Sequence, residues 1–256
     1  PLYPERLQKF MEQIHAKYPK IKICGSSGPS ADGKDFDYGW EQMRKLGVDM
    51  VDEHYYKSPD WFRSNAGRYD NYDRKGPKVF AGEYAAHAKH DPNSWEAALS
   101  EAAFMTGLER NADVVYQATY APLFAHVEGW QWRPDLIWFD NLTSVRSANY
   151  YVQQLYGLNK GTHVLSLTEN GKTVKGENGL YATACFDKHT KSYIVKIANT
   201  SNEEKEITVT FNGLKKLKAG KVTVLHADDI QADNKIDHKN AVVPVTSDVQ
   251  ANGNVL

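Results

Sequence analysis

The sequence predicts a protein in two parts, the C-terminal half of a (β/α)8 TIM barrel followed by an antiparallel β-sandwich. Two observations predict this division. Over residues 1–159, helical segments alternate with short apolar strands, which is the pattern of βα units around a parallel sheet. Over residues 160–256, the segments become short and alternate between apolar and polar residues, which is typical of antiparallel strands. Four strands with their helices amount to about half of an eight-stranded barrel.

The helices of the first part follow from apolar spacing and from residues that start and stop helices. Between Leu7 and Ile14, apolar residues recur at i, i+3, i+4 and i+7, which is the spacing of one helix face. Gly47 is a stop signal, and Ser94 can cap the first turn of a helix. Helices are therefore predicted over 4–18, 35–47, 91–110 and 149–159.

Apolar strands are predicted between these helices, over 21–27, 48–56, 78–85 and 112–124. A polar, aromatic loop is predicted over 57–77. Because the series begins with a helix, we expect a preceding strand to be missing from this chain.

The second part is predicted to contain only strands. They cover 162–168, 180–187, 192–200, 206–211, 221–227 and 240–246. In the third of these, Tyr193, Val195 and Ile197 share one face, with polar residues between the strands. No long linker separates the two parts, so we expect the sandwich to pack on the barrel part.

Composition argues against several classes of function. The chain has 256 residues and a formal net charge of −1, and it has no basic stripe that would favour a nucleic acid partner. No apolar run approaches the ~20 residues of a membrane helix. The two cysteines and nine histidines show no zinc-binding spacing, so no zinc site is predicted. The chain gives no indication of its compartment.

The strand over 78–85 ends in a carboxylate that needs an explanation. Strict alternation places Val79, Ala81 and Glu83 on one face, and Phe80 and Tyr84 on the other. Because the bulky aromatic residues suit the helix layer, Glu83 is predicted to point into the barrel. It would then lie at the C-terminal end of its strand, where the active sites of these barrels are found.

The preceding strand supplies candidate neighbours for Glu83. Asp52, His54 and Tyr56 share a face, whereas Glu53 and Tyr55 take the opposite one. If His54 and Tyr56 point inward, they lie one strand away from Glu83. A tyrosine at that position could donate a hydrogen bond that holds a carboxylate ionised.

Aromatic residues in the following loops are candidate sugar contacts, namely Trp61, Phe62, Trp130 and Trp132. Each candidate also has a purely structural interpretation. A glutamate at a strand end can be a helix cap or an ion-pair partner, and His54 can be a hydrogen-bonded core histidine. The tryptophans can equally pack between the two parts.

Four long segments carry a resemblance to a known family. They are VDMVDEHYYKSPDWF, YDNYDRKGPKVFAGEYAAH, ERNADVVYQATYAPLFAH and YYVQQLYGLNKGTHVL. In this order they resemble the family-51 glycoside hydrolases, the α-L-arabinofuranosidases. The resemblance implies a (β/α)8 barrel with a β-sandwich, a substrate of arabinose-containing oligo- or polysaccharide, and no cofactor. It also implies a periplasmic or extracellular location.

The resemblance implies roles for individual residues. The family is retaining and uses two glutamates about 5 Å apart, one as the nucleophile and one as the general acid/base. The Gly-Glu-Tyr motif makes Glu83 the nucleophile, and His54 and Tyr56 belong to the sugar pocket. Trp61 and Trp130 are taken as further substrate-binding residues on the aromatic argument.

The sequence departs from the family at the acid/base residue. In the family this residue lies in an Asn-Glu motif at the end of the fourth barrel strand, and no such motif precedes the first helix here. We therefore expect the acid/base glutamate to lie upstream of Pro1. On this interpretation the chain alone is inactive, and it self-associates or requires the missing N-terminal half.

Other functions remain compatible with the same sequence. A glycosidase of another specificity, such as a xylosidase or an endoglucanase, would keep the barrel and the nucleophile. A carbohydrate-binding or structural module would rely on the sandwich and leave Glu83 without a role.

Overall fold

The computed structural model describes residues 2–218 and 220–256. Its first part contains four parallel strands, β1 (Cys24–Ser26), β2 (Met50–Lys57), β3 (Lys78–Ala86) and β4 (Val115–Tyr120). They form one sheet in the order β1-β2-β3-β4. The helices are α1 (Leu2–Lys17), α2 (Lys34–Leu46), α3 (Pro59–Ser64), α4 (Trp95–Arg110) and α5 (Ala148–Leu158). The predicted alternation of helices and parallel strands is thus present in the structure.

Helix boundaries follow local signals in two cases. Helix α2 stops at Gly47, as predicted, because this glycine adopts a left-handed conformation with φ of 68°. Helix α3 lies inside the segment predicted as a loop. Its start signal is ordinary, since the Ser58 side chain accepts the N–H of Trp61 and Pro59 occupies the first helical turn.

Helix α4 is capped by a distant segment instead of by Ser94. The Ser94 hydroxyl has no hydrogen-bond partner among the described residues. The N–H groups of Trp95 and Glu96 donate to the carbonyl oxygens of Ala232, at 2.7 Å, and Ile230, at 2.9 Å. The predicted side-chain cap is therefore wrong, because carbonyl groups from the C-terminal region satisfy the first turn.

The main core lies between the parallel sheet and its helices. Tyr84 of β3 is fully buried, and its ring packs near Phe62 of α3 and Phe104 of α4, with centroid distances of 6.4 and 6.5 Å. On the same face of the sheet, Val51 and Val79 are also fully buried. The opposite face of β2 and β3 is only partly buried, so its polar side chains remain accessible.

The remaining strands form small sheets. Strands β5 (Phe124–His126), β6 (Ile137–Phe139) and β7 (Ser144–Arg146) form one, and β9 (Thr168–Glu169) and β10 (Lys172–Thr173) form a hairpin. Strands β8 (His163–Leu165), β11 (Leu180–Asp187) and β12 (Ser192–Asn199) form an antiparallel sheet, and β13 (Gly220–Val224) pairs with β14 (Val245–Val249).

Two of the strands predicted in the second part differ from the structure. No regular strand forms over 206–211, where Thr210 makes only an isolated bridge to Val255 near the chain end. The strand predicted over 240–246 begins only at Val245. The cause is Asn234, whose side chain binds both the N–H and the carbonyl oxygen of Val242 and so removes these groups from strand pairing.

The sheet of β8, β11 and β12 packs on the first part, as expected. Tyr181 of β11 and Ala198 of β12 form a buried cluster with Ala103 of α4. The Tyr181 hydroxyl donates to the carbonyl oxygen of Arg63 at 3.1 Å. The boundary predicted at residues 159/160 stays a prediction.

None of the described helices has both the length and the apolar character to cross a membrane.

Candidate active site

The candidate site is built on the partly buried face of β2 and β3. Along β2, Glu53 and Tyr55 are fully buried toward the helices. Asp52, His54 and Tyr56 occupy the alternate positions and are only partly buried. The facing predicted for this strand agrees with the structure, because β2 keeps a strict two-residue alternation.

Glu83 lies on the same face, but an irregularity in β3 places it there instead of the regular alternation that the sequence predicts. Val79 and Ala81 are fully buried against the helices, so they do not share a face with Glu83. In the pairing with β2, Ala81 lies opposite Glu53 and Glu83 lies opposite His54. Gly82 is therefore an extra residue, a β-bulge that turns Glu83 away from the helices. The strict alternation assumed for β3 is wrong at this one position.

The structure brings Glu83, Tyr56 and His54 together. The Tyr56 hydroxyl donates to Glu83 Oε2 at 2.9 Å. His54 Nδ1 lies 3.6 Å from the same oxygen, and His54 Nε2 lies 2.8 Å from Asp52 Oδ2. The Glu83 side chain is 45% exposed, so its carboxylate can be reached from solvent.

Burial controls the ionisation of the neighbouring groups. Burial and the hydrogen bond to Glu83 raise the pKa of Tyr56, so its hydroxyl remains a proton donor throughout the neutral range. Burial also raises the pKa of the Asp52 carboxyl, although His54 opposes this effect. The pKa of His87 is lowered by burial, which favours its neutral imidazole.

Two rings form an aromatic wall beside Tyr56. The ring centroids of Trp132 and His87 each lie 5.6 Å from that of Tyr56, and 5.9 Å from each other. Trp132 is 48% exposed, which leaves part of its surface free for a ligand. His87 was not among the residues predicted from the sequence. It could have been recognised from its position, because it follows Glu83 by four residues and comes directly after the end of β3.

The other two predicted tryptophans pack against rings other than Tyr56 and His87. Trp61 stacks on Tyr55, with a centroid distance of 5.5 Å, and lies 5.9 Å from Phe104. Tyr55 faces the helices, so Trp61 packs on that side of the sheet, and its predicted contact with a sugar stays a prediction. Trp130 packs edge-on against Trp138 at 6.3 Å, and its predicted contact with a sugar stays a prediction.

Glu53 belongs to a different environment from Glu83. Its carboxylate is fully buried and accepts hydrogen bonds from Trp40 Nε1, at 2.7 Å, and from the hydroxyl groups of Tyr69 and Tyr72, at 3.0 and 2.9 Å. The Arg68 guanidinium completes the group as an ion-pair partner at 3.3 Å. A carboxylate so enclosed by donors stabilises the fold and cannot reach a substrate.

Comparisons with known proteins point to one family. The sequence model described as the α-L-arabinofuranosidase C-terminal domain matches residues 68–256, and the model described as the α-L-arabinofuranosidase 1 domain matches residues 2–74. An extracellular exo-α-L-arabinofuranosidase of Streptomyces chartreusis is 55% identical over 161 residues, which cover 63% of this chain and 19% of that protein. A probable α-L-arabinofuranosidase A of Aspergillus flavus is 36% identical over 256 residues, which cover 97% of this chain and 37% of that protein.

Solved structures give the same picture. The arabinose-bound MgGH51 α-L-arabinofuranosidase superposes with a TM-score of 0.85 and 31% identity, over 99% of this chain and 40% of that one. The α-L-arabinofuranosidase of Thermotoga maritima, in complex with arabinose, shares the fold with a TM-score of 0.70 at 17% identity, over 99% of this chain and 58% of that one. This chain therefore spans less than two thirds of the length of each of these relatives.

Proposed function

The chain belongs to the α-L-arabinofuranosidase family, and from this premise we propose that the intact protein is a retaining glycoside hydrolase of family 51. It releases terminal α-L-arabinofuranosyl residues from arabinose-containing oligo- or polysaccharides. The observation that carries the proposal is the Glu83 carboxylate, which is accessible at the end of β3 and accepts a hydrogen bond from Tyr56. An extracellular location is supported by the name of the Streptomyces relative.

In this proposal Glu83 is the nucleophile. Its carboxylate attacks the anomeric carbon of the arabinofuranosyl unit, forms an ester bond to the sugar, and breaks the bond to the leaving oxygen. The Tyr56 hydroxyl holds the carboxylate in line and ionised before attack. Water then cleaves the ester, which restores the carboxylate and releases arabinose with its original anomeric configuration.

Retention requires a second carboxyl group, which protonates the leaving oxygen and later takes a proton from water. We assign this group to a part of the intact protein outside the present sequence, because the relatives are much longer than this chain. We also assign the four parallel strands to one half of a (β/α)8 barrel and residues 160–256 to a C-terminal β-sandwich, because the parallel strands alternate with helices and the longer strands after residue 160 pair antiparallel. The rest of the barrel then faces Glu83 across the substrate.

The test of this function combines hydrolysis with covalent trapping in the intact protein. We expect hydrolysis of 4-nitrophenyl α-L-arabinofuranoside, with little activity on the matching xyloside or glucoside. Glu83→Gln should lower kcat by at least about 10⁴-fold, because glutamine cannot form the ester intermediate. A 2-deoxy-2-fluoro arabinofuranosyl substrate with a good leaving group should label a peptide that contains Glu83, which mass spectrometry detects.

The matched control is Glu204→Gln, an exposed residue between β12 and β13. We expect it to leave kcat unchanged. The proposal fails if Glu83→Gln retains the activity of the wild type, or if the label is found on another residue. Preferred hydrolysis of the xyloside or glucoside would instead keep the glycosidase and change its substrate.

A further inference from the structure

The bulge at Gly82 decides which way Glu83 points. Side chains alternate along a regular strand, so an uninterrupted β3 would place residue 83 on the same face as Val79 and Ala81. That face is fully buried against the helices. The extra residue reverses the facing, and Glu83 then lies opposite His54. Contacts that fix the conformation of the bulge therefore also fix the direction of the Glu83 side chain.

A residue of β4 supports the bulge from one side. The register between β3 and β4 is interrupted between Ala81 and Tyr84, where the regular ladder cannot bind every backbone group. The Thr119 hydroxyl donates to the carbonyl oxygen of Gly82 at 2.5 Å. This side-chain hydrogen bond replaces one that a regular strand would have made with its neighbour.

A residue of β2 supports the bulge from the other side. A Cβ atom at position 82 would lie 2.0 Å from Asp52 Oδ1, so the carboxylate occupies the space that a side chain would need. The second oxygen, Oδ2, lies 2.8 Å from His54 Nε2. Because an ionised carboxylate can only accept, His54 donates this bond and its other ring nitrogen faces Glu83. Asp52 thus contacts both the bulge and a neighbour of Glu83.

The cost of this arrangement argues against a role in stability alone. Burial raises the pKa of the Asp52 carboxyl, and His54 and the backbone of Gly82 only partly offset this effect. A partly buried carboxylate destabilises a fold, and a smaller apolar residue would avoid the penalty. The position therefore has a reason other than packing.

We propose that Asp52 and Thr119 are positioning residues that lock the Gly82 bulge and thereby aim the Glu83 carboxylate at the substrate. The inference rests on the proposed role of Glu83 as nucleophile. Neither residue needs to touch the sugar. Asp52 acts through Gly82 and His54, and Thr119 acts through the carbonyl group of Gly82.

The test uses three variants of the intact protein. Thr119→Val keeps the shape of the side chain and removes the hydroxyl, whereas Thr119→Ser keeps the hydroxyl. We expect Thr119→Val to lower kcat/KM for an aryl arabinofuranoside about fivefold, which is the effect of one lost hydrogen bond. The inhibition constant for arabinose should not change, and Thr119→Ser should restore most of the rate. Thr223→Val is the matched control, since Thr223 bonds to Thr246 at 2.8 Å in the β13–β14 pair.

Asp52→Asn gives a second readout that does not depend on activity. Asparagine has the same size, so the bulge can form, but in either orientation a neutral amide holds the proton on His54 Nε2 less strongly than a carboxylate does. We expect the ¹⁵N shifts of the His54 ring, assigned with His54→Gln, to show that the proton has moved from Nε2. A crystal structure of Thr119→Val should show a longer distance between Tyr56 Oη and Glu83.

The possible results separate the two proposals. If the wild type does not hydrolyse arabinofuranosides, the proposed function fails. The His54 ring shifts and the crystal structure then still show whether Asp52 and Thr119 hold the bulge in position. The inference is overturned if Thr119→Val keeps the wild-type kcat/KM, or if Thr119→Ser is as slow as Thr119→Val. If the His54 ring shifts are unchanged in Asp52→Asn, Asp52 is not a positioning residue.

Discussion

Tyr56 lies between the Glu83 carboxylate and the aromatic wall of Trp132 and His87. Its hydroxyl is the one direct hydrogen-bond donor that the described residues provide to Glu83. A hydrogen bond to a charged group contributes about 1.5–3 kcal/mol, more than a bond between neutral groups. Tyr56 should therefore affect the reactivity of Glu83 much more than it affects the fold.

Tyr56→Phe tests this point. We expect kcat/KM of the intact protein to fall between about tenfold and about 100-fold, because the carboxylate loses its donor while the ring still packs on Trp132. Steady-state kinetics on 4-nitrophenyl α-L-arabinofuranoside measure the change. Tyr38→Phe, at an exposed position of α2, is the control and should match the wild type. An equal rate for Tyr56→Phe would mean that the hydroxyl does not assist Glu83.

Helix α4 carries a second carboxyl group of interest, Glu101, which is fully buried behind the end of β3. It accepts the N–H of Ala86 at 2.8 Å, and the amide side chains of Asn149 and Gln153 lie near it. Burial raises the pKa of Glu101 from 4.5 to about 8. Between these two pH values the folded state holds a proton that the unfolded chain has released, so stability falls as the pH rises.

Glu101→Gln should remove this part of the pH dependence. The slope that Glu101 contributes is at most about 1.4 kcal/mol per pH unit, the value for one proton. We therefore expect the wild type to lose more thermal stability than the variant between about pH 5 and about pH 8, as measured by the midpoint of thermal unfolding. Glu12→Gln, on the exposed face of α1, should follow the wild type at both pH values. Parallel curves for wild type and Glu101→Gln would show that Glu101 is ionised in the folded protein.

At the scale of the whole molecule, the parallel sheet has two edges, β1 and β4, that pair on one side only among the described residues. Apolar side chains are exposed near them, with Tyr116, Leu123 and Phe124 between 50 and 63% exposed beside β4. Phe10 belongs to α1, whose Leu7 lies against Gly25 of β1, and it is 65% exposed. Parallel sheets are normally covered on both faces and continued at their edges. These surfaces are therefore suited to contact with further strands and helices of a barrel.

We therefore expect this chain and the intact protein to behave differently in solution. The chain alone should self-associate in size-exclusion chromatography with light scattering, and its kcat/KM should be at least about 100-fold below that of the intact protein, because the proposed mechanism takes its leaving-group acid from outside residues 1–256. Mixing the chain with the remainder of the protein should recover both solubility and activity. A compact, active monomer formed by residues 1–256 would contradict this expectation.

The sequence by itself determined the features that depend on near neighbours along the chain. The spacing of apolar residues located the helices and the parallel strands, and Gly47 ended α2 as its backbone freedom requires. Alternation along β2 put His54 and Tyr56 on one face, because that strand has no irregularity within it. The motif around Glu83 was recognisable for the same reason, since it is continuous in sequence.

Only the tertiary structure decided the features that depend on distant residues. The bulge at Gly82 is set by contacts with Asp52 and Thr119 on neighbouring strands, so alternation alone gave the wrong faces for Val79 and Ala81. The N-terminus of α4 is capped by carbonyl groups about 135 residues away, and Trp61 stacks on Tyr55, which faces the helices. The physical reason is the same in each case. A backbone group or a ring binds the partner that the fold brings within reach, and the neighbouring sequence does not specify that partner.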